Sequence, residues 1–313
     1  MTLPDPDKGI SLLAISGGMD SVVLLHMLVN AGFQNLVLCH FNHGLRGRES
    51  GQDAAFVRRL AARHGLACEV EKADVAASAR SRRMSVELAA RTSRYDFLSR
   101  MAERHGACEI YLAHHADDQA ETILANLCRG TGIGGLKGML EESSDVPVLR
   151  RPLLGLSRKD LAAYAAAHQL KWREDASNQS PAYRRNRVRH EVLPLLKNVY
   201  ARDVSPLIVR LGKQAGRDDD CLSQMAREFA REHTLVQADG SLTLVPEMRK
   251  LHPAVLSRVL RQWLGERLEV AGLDAELVEQ AMEMVMAGGP AKVNLAQGRH
   301  LRRKSRRLWV ESP

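Results

Sequence analysis

Short, continuously apolar runs alternate with longer segments whose apolar residues recur three and four positions apart. Residues 10–15, 35–40, 66–70 and 110–113 are runs of strand length. Between and after them, 22–29, 50–65, 85–105 and 117–128 carry helical spacing, as in Val86, Ala89, Leu98, Met101 and Ala102. A continuously apolar strand is covered on both faces, and strands that alternate with helices pair in parallel. The pattern predicts an α/β fold, a parallel twisted sheet with helices on both faces. Ligands in such sheets lie beyond the carboxyl ends of the strands. A long helical stretch at about 204–233 follows, with Asp218, Asp219 and Asp220 on a solvated face. A strand at 242–245, helices at 253–268 and 274–287 and a basic β-like tail predict a smaller helical, α+β C-terminal domain. The domains are set at 1–200 and 201–313.

The predicted strand ends hold most of the reactive side chains. The first strand runs into Ser16-Gly17-Gly18-Met19-Asp20-Ser21 and then into a helix. A strand, glycine turn and helix start aim backbone N–H groups and the positive helix end at an anion. Two glycines let the backbone approach a ligand closely. The stretch fits neither the P-loop nor the dinucleotide fingerprint. A phosphate cradle and an ordinary capped turn both remain open on these grounds. The second strand ends near His43, and the fourth ends in His114-His115-Ala116-Asp117-Asp118 followed by Glu121. Adjacent carboxylates at a sheet edge repel unless a cation lies between them, and Mg²⁺ shared with nucleotide phosphates is the natural fit. Helix capping is the plainer alternative. Residues 130–138 hold five glycines and read as a mobile or phosphate-wrapping loop, or else a plain linker.

Charge adds a partner. The 313 residues carry a net charge of +8, which favours a polyanion. Basic clusters lie at Arg184, Arg185, Arg187 and Arg189, and at Arg299, Arg302, Arg303, Lys304, Arg306 and Arg307. Aromatic residues are only 4%, which disfavours a broad stacking platform. None of the five cysteines forms a Cys-x-x-Cys pair, so a metal or iron–sulfur centre is poorly supported and a reducing, cytoplasmic setting is expected. No apolar run has membrane-spanning length and no leader peptide is recognisable, so no membrane association is expected.

The Ser16–Ser21 stretch resembles the signature of the PP-loop ATP pyrophosphatases, which cleave ATP to AMP and pyrophosphate and adenylate a carbonyl oxygen. Further blocks resemble the tRNA(Ile)-lysidine synthetases: Phe41-Asn42-His43-Gly44-Leu45-Arg46 with Glu49-Ser50, Glu87 to Arg91 with Arg94-Tyr95, Ala113 to Thr122, Arg129 to Gly132, Gly135 to Met139, Arg151 to Leu154, Asp175 to Asn178, Arg185 to Arg189, and Pro194 to Leu196. They span residues 10–196 in the family's order, and the chain is similar to a short form with one small C-terminal domain.

The resemblance implies that ATP adenylates C2 of the wobble cytidine in the CAU anticodon of tRNA(Ile). The amine of free L-lysine then displaces AMP, and the base and the tRNA switch from methionine to isoleucine. It implies ATP binding by Ser16, Gly17, Gly18, Met19, Asp20 and Ser21, and catalysis by Asp20, His43, Arg91, His115, Asp117 and Asp118. Asp117, Asp118 and Glu121 would hold lysine, with Asp20, Asp117 and Asp118 as Mg²⁺ ligands. The tRNA contacts would be Arg94, Arg185, Asn186, Arg189, Arg302, Arg303, Arg306 and Arg307. A homodimer is compatible with it. The rivals are a 2-thiocytidine synthetase, against which the missing cysteine pair speaks, and a non-catalytic tRNA-binding relative, against which intact Ser16, Asp20, Asp117 and Asp118 speak.

Overall fold

The computed structural model describes residues 6, 9–43, 48–143, 145–174, 184–268, 275–286, 289–295 and 298–311, with the backbone alone at 48–50. The chain divides into two compact units, Met1–Gly130 with Lys137–Gly212, and Thr131–Leu136 with Lys213–Pro313. Residues Gly44, Leu45 and Arg46 and the block 175–178, on which part of the resemblance rests, lie outside the described residues.

The first unit runs β1 (Ser11–Ala14), α1 (Met19–Asn30), β2 (Leu36–Asn42), α2 (Arg48–His64), β3 (Ala67–Lys72), α3 (Val75–Ser81), α4 (Val86–His105), β4 (Glu109–Tyr111) and α5 (Ala116–Leu127). The one-turn α6 (Ile133–Leu136) belongs to the second unit. Then come β5 (Val148–Arg150), α7 (Arg158–Ala167), α8 (Arg184–Arg187), a π-helical turn at Val188–Val192, α9 (Leu193–Tyr200) and α10 (Ser205–Glu232). The five strands form one sheet in the order β3-β2-β1-β4-β5, every pair parallel. The alternation of side chains along each strand divides the core. Leu12, Val37 and Ile110 pack with Val75, Phe97 and Leu98 of α3 and α4. Their neighbours Leu13, Leu38 and Tyr111 pack on the opposite face with Leu24, Val57 and Leu161 of α1, α2 and α7. Burying each such leucine contributes roughly 2 kcal/mol before chain entropy is counted. Because the chain goes from β1 to β2 on one side and returns to β4 on the other, the switch point lies between β1 and β4. A doubly wound sheet opens its ligand crevice there.

Among the elements of this unit that escaped the sequence pattern are α3 and β5. β5 is three residues long, and its Arg150 bonds Glu109 at 2.8 Å and also Glu142, which compensates a charge in the sheet.

The second unit packs the C-terminal part of α10, α11 (Pro253–Leu268) and α12 (Ala275–Val285) on a four-stranded antiparallel sheet. The sheet has the order β6-β9-β8-β7, with β6 at Leu242–Thr243, β7 at Lys292–Asn294, β8 at His300–Lys304 and β9 at Arg307–Glu311. Ala226, Leu256, Trp263, Met284, Leu301 and Leu308 form its core. The expectation that Asp219 sits on a solvated face fails. Its side chain is only 14% exposed and accepts a hydrogen bond from Arg258 Nη2 at 3.0 Å. Gly134 lies against the same carboxylate, where a Cβ would come within 3.2 Å.

Candidate active site

At the carboxyl end of β1 the chain turns at Ser16-Gly17-Gly18 into α1. His40 of β2 donates from Nδ1 to the Ile15 carbonyl at 2.9 Å and pins the strand's exit. Gly17 has φ +91°, a left-handed value, and its Cβ position faces Phe56 at 3.3 Å. Gly18 is the N-cap of α1 and brings no side-chain bond. The serines knit the turn instead. Ser21 Oγ accepts from Gly17 N at 3.2 Å and donates to Gly18 O at 2.9 Å, and Ser16 Oγ accepts from Gly18 N at 3.2 Å. The first intrahelical bond is Val22 N to Gly18 O, so the N–H groups of Met19, Asp20 and Ser21 precede the helix's own acceptors. This is an anion-facing helix start with hydroxyls beside it. Gly17→Ala is expected to cost about 1–2 kcal/mol through backbone strain. Urea unfolding measures the cost, and an unchanged midpoint would refute the strain.

The β4 exit supplies the facing wall. His115 caps α5, with Asp117 N donating to its Nδ1 at 3.2 Å and its own N–H donating to Asp118 Oδ2 at 3.0 Å. The imidazole is 2% exposed and lies among three carboxylates: Asp20 at 3.7 Å, Asp117 at 3.4 Å and Asp118 at 3.5 Å. The contact to Asp20 joins the β1 turn to the β4 turn across the switch point. Glu121, one turn further along α5, is 1% exposed and accepts from Arg185 Nε at 2.7 Å and Arg189 Nε at 2.5 Å. Asp118 Oδ1 lies 2.9 Å from both guanidiniums. Arg185 and Arg189, read from the sequence as tRNA contacts, are therefore counter-ions inside the site. The π-helical turn beginning at Val188 carries the second of them, and such turns recur at functional sites.

Charge sets the protonation of the cluster. Burial works against the Asp118 carboxylate, but His115 and Arg185 outweigh it and hold its pKa below the usual value. Asp117 is lowered to about 2, first by its hydrogen bond with His115. Burial raises Asp20, more than His115 lowers it. Burial also opposes the charged form of His115, yet Asp117, Asp118 and Asp20 together raise its pKa.

The expected three-carboxylate Mg²⁺ set is corrected. Among the described residues no group of three or more His, Cys, Asp or Glu is arranged to hold a metal. Asp118 is spent on the arginines and His115 N, and Asp117 Oδ2 accepts from Arg158 N at 2.8 Å. Asp20 Oδ1, by contrast, is buried with no hydrogen-bond partner among the described residues. The expected lysine ligands are altered in the same way: Asp118 and Glu121 already face two guanidiniums, and an ammonium reaches them only by exchange.

A second polar group closes the crevice on the β2 side. His43 stacks edge-on against Phe41 at 5.0 Å, and burial and Arg94 lower its pKa to about 4. Arg91 and Arg94 lie over the Tyr95 ring at 5.0 and 5.5 Å. His43 Nδ1, Arg94 Nε and His114 Nδ1 are buried without hydrogen-bond partners among the described residues. Buried polar atoms without protein partners can be satisfied by water, an ion or a polar ligand. His114 was not among the residues chosen from the sequence. Burial lowers its pKa to about 3, and its one signal was its place beside His115 at a strand end.

These shifts have a sign. The unfolded chain protonates His43 and His114 near ~6.5, so it takes up protons that the fold refuses, and both groups make stability fall as pH drops from there towards 4. His115 acts oppositely: its raised pKa adds stability that is present below ~6.5 and is lost as pH rises through the folded value. Asp117 adds stability above 3.8 that is lost as pH falls to about 2. In an imidazole NMR titration, His43 and His114 are expected to stay neutral at pH 5 while His115 is protonated. Either of the first two titrating near ~6.5 would refute their burial.

The glycine-rich stretch is not the free loop the sequence suggested. Gln119 of α5 donates to Lys137 O at 3.1 Å and Met139 O at 2.9 Å and accepts from Met139 N at 2.8 Å, while Thr131–Leu136 packs in the second unit. Asn186 lies between the two site arginines in sequence and is partly buried. In the tail, Arg302 pairs with Glu311 at 2.8 Å and Arg307 pairs with Asp239. Arg303 donates to Met284 O, Met286 O and Gly289 O at 2.7–3.0 Å and clips the end of α12, which corrects its reading as a tRNA contact. Arg306 is exposed.

A family model described as a PP-loop domain matches residues 3–196, and one described as a TilS substrate binding domain matches residues 245–309. Curated relatives named tRNA(Ile)-lysidine synthase include one from Geobacter sulfurreducens, 35% identical over 90% of this chain and 60% of its own length. One from Chlorobaculum tepidum is 33% identical over 92% of this chain and 88% of its own length. One from Thermus thermophilus is 37% identical over 96% of this chain and 57% of its own length. The chain thus spans under two-thirds of the Geobacter and Thermus relatives. Among solved structures, the U34-tRNA thiolase NcsA from Methanococcus maripaludis, described with its [4Fe-4S] cluster, is 20% identical with a TM-score of 0.53. It covers 67% of this chain and 72% of its own, a likeness of fold. All five cysteines here are free. Among the described residues no helix is long and apolar enough to cross a membrane.

Proposed function

Because the chain belongs to the tRNA(Ile)-lysidine synthase family, we propose that it is the ATP-dependent ligase that joins L-lysine to C2 of the wobble cytidine in the CAU anticodon of tRNA(Ile), in the cytoplasm. The observation that carries this reading is the contact of Asp20 with His115, which sets a phosphate-facing helix start against an acid–base cluster at the switch point. A urea-like carbonyl is a weak electrophile and oxide a poor leaving group, so activation comes first. The C2 oxygen attacks the α-phosphorus of ATP, pyrophosphate leaves, and the lysine amine then displaces AMP with loss of a proton.

The Ser16–Ser21 turn binds the phosphates through its N–H groups and hydroxyls. Asp20 Oδ1, without a hydrogen-bond partner among the described residues, is a carboxylate oxygen open to Mg²⁺, which characteristically uses one or two carboxylates and the nucleotide phosphates. When bound, Mg²⁺ would neutralise phosphate charge. Arg91, Arg94, His43 and His114 offer donors to the adenylate phosphate or the flipped base. The lysine ammonium exchanges with Arg185 or Arg189 on Asp118 and Glu121, then gives its proton to solvent, and the neutral amine attacks. In the assay, radiolabelled lysine enters a tRNA(Ile) transcript bearing CAU only when ATP is present. Folded protein that leaves the transcript unlabelled would overturn the reading.

A further inference from the structure

The Ser16–Ser21 turn is held from outside by residues to which the reactions above assign nothing. Gly17 O accepts a hydrogen bond from Arg173 N at 3.0 Å. Residues 170–174 lie past the end of α7 and belong to no helix or strand, so no regular element holds this donor in place. Its own side chain does. Arg173 Nε donates to Asp53 Oδ1 of α2, and Arg173 Nη2 donates to Gln52 Oε1 at 3.1 Å. The two charged side chains are 32% and 22% exposed, so water and salt screen the pair only in part. The next turn of the same helix packs on the glycine: Phe56 lies 3.3 Å and Val57 3.6 Å from where a Cβ on Gly17 would stand. The Asp53 charge also reaches His40, which holds the Ile15 carbonyl. Burial lowers the pKa of that histidine, and the Ile15 bond and Asp53 oppose the fall. The carbonyls of Ile15 and Gly17, which flank Ser16, are thus both tied to groups beside one carboxylate.

We infer that Asp53 and Arg173 are positioning residues for the nucleotide, forming a latch that keeps the Gly17–Gly18 peptide in the orientation an anion requires. The inference rests on the reading of this turn as the ATP-phosphate cradle and names what sets its shape. In a trans peptide the C=O and N–H point in opposite directions. Arg173 N holds the Gly17 carbonyl, and Ser16 Oγ accepts from the N–H of the same peptide, Gly18 N, at 3.2 Å. Neither glycine has a Cβ to resist rotation, so these bonds are what opposes a flip. A flip would turn the carbonyl towards Ser16 Oγ. The hydroxyl would then donate to that carbonyl and be lost to a phosphate, and the negative end of a dipole would replace an N–H beside it. The Arg173 guanidinium acts here through its own backbone N–H, without touching the nucleotide.

The test measures binding of α,β-methylene-ATP to the full chain by calorimetry, beside steady-state lysine incorporation into the CAU-bearing transcript. Arg173→Ala and Asp53→Asn are each expected to raise the Kd of the nucleotide and the KM for ATP about tenfold, with kcat within about threefold. Arg173→Lys keeps the charge opposite Asp53 but not the fork to Gln52, and should bring the Kd back to within about threefold of the wild-type value. Affinity for the tRNA and the KM for lysine should stay within about twofold. Because the two side chains act as one latch, Asp53→Asn with Arg173→Ala should weaken nucleotide binding no more than either change alone. An unchanged Kd in the folded single variants overturns the inference. So does a loss of nucleotide and tRNA affinity together with a lower urea midpoint, which would make the pair a general support of the fold. Weakened nucleotide binding in variants of a chain that incorporates no lysine upholds the latch and rejects the proposed reaction, so the two failures are distinct.

Discussion

Asp20→Asn is expected to lower lysine incorporation by about 10²–10³-fold while leaving tRNA affinity within about threefold. The magnitude follows from the role: one charge aimed at developing phosphate charge, or at the cation that neutralises it, acts in a half-buried crevice rather than in bulk water. The second half of the expectation concerns stability. Burial raises the Asp20 pKa, so at neutral pH the fold holds an ionised carboxylate against its preference. Its Oδ1 has no hydrogen-bond partner among the described residues. By linkage, such a group subtracts stability above its unfolded pKa. Asp20→Asn should therefore leave the urea midpoint unchanged or raise it. A variant that loses activity together with stability would make Asp20 a structural residue, and one that keeps full activity would remove it from the site.

Glu121→Gln is expected to destabilise the first unit by about 2–3 kcal/mol and to abolish lysine incorporation. Removing one member of a buried charge cluster leaves the others uncompensated, at about 3–5 kcal/mol where water is excluded. Arg185 and Arg189 are 35% and 22% exposed, so solvent relieves part of that cost. The cluster is a closed square of two carboxylates and two guanidiniums, and its members should not act independently. In a double-mutant cycle, Glu121→Gln with Arg189→Gln should lose less than the sum of the two single changes. Additive losses would mean that the pairing contributes nothing. A Glu121→Gln chain of unchanged stability would show that the arginines find other partners.

Much of this molecule was legible locally. The runs at 10–15, 35–40 and 110–113 became β1, β2 and β4 because a strand covered on both faces is largely apolar, whereas 66–70 became the edge strand β3, in which Glu69 and Glu71 alternate with Cys68 and Val70. The helix at 85–105 was legible from its apolar spacing; its cap, Ser85, which accepts from Leu88 N at 3.2 Å, is seen only in the structure. β5 was not legible, since three residues ending in an arginine carry no periodicity. Asp219 was misread because a triplet of aspartates looks solvated until Arg258 arrives from another helix. His114 was overlooked because its only local signal was its place beside His115 at the end of a strand.

The sequence by itself determined the sheet, its two covered faces, the Ser16–Ser21 turn and the side chains placed at the strand ends. These follow from hydrophobic periodicity and from backbone geometry that spans a few residues. Tertiary structure alone decided which charge meets which. Arg185 and Arg189 lie more than sixty positions from Glu121 in the chain, yet they bond it, while Asp20 Oδ1 has no hydrogen-bond partner among the described residues. Arg303, one of a run of basic residues, turned inward to clip α12, whereas Arg302 and Trp309 share the outer face. Composition counts charges without pairing them. Pairing depends on contacts brought about by the packing of distant elements, and that packing separates a structural guanidinium from one left for a ligand.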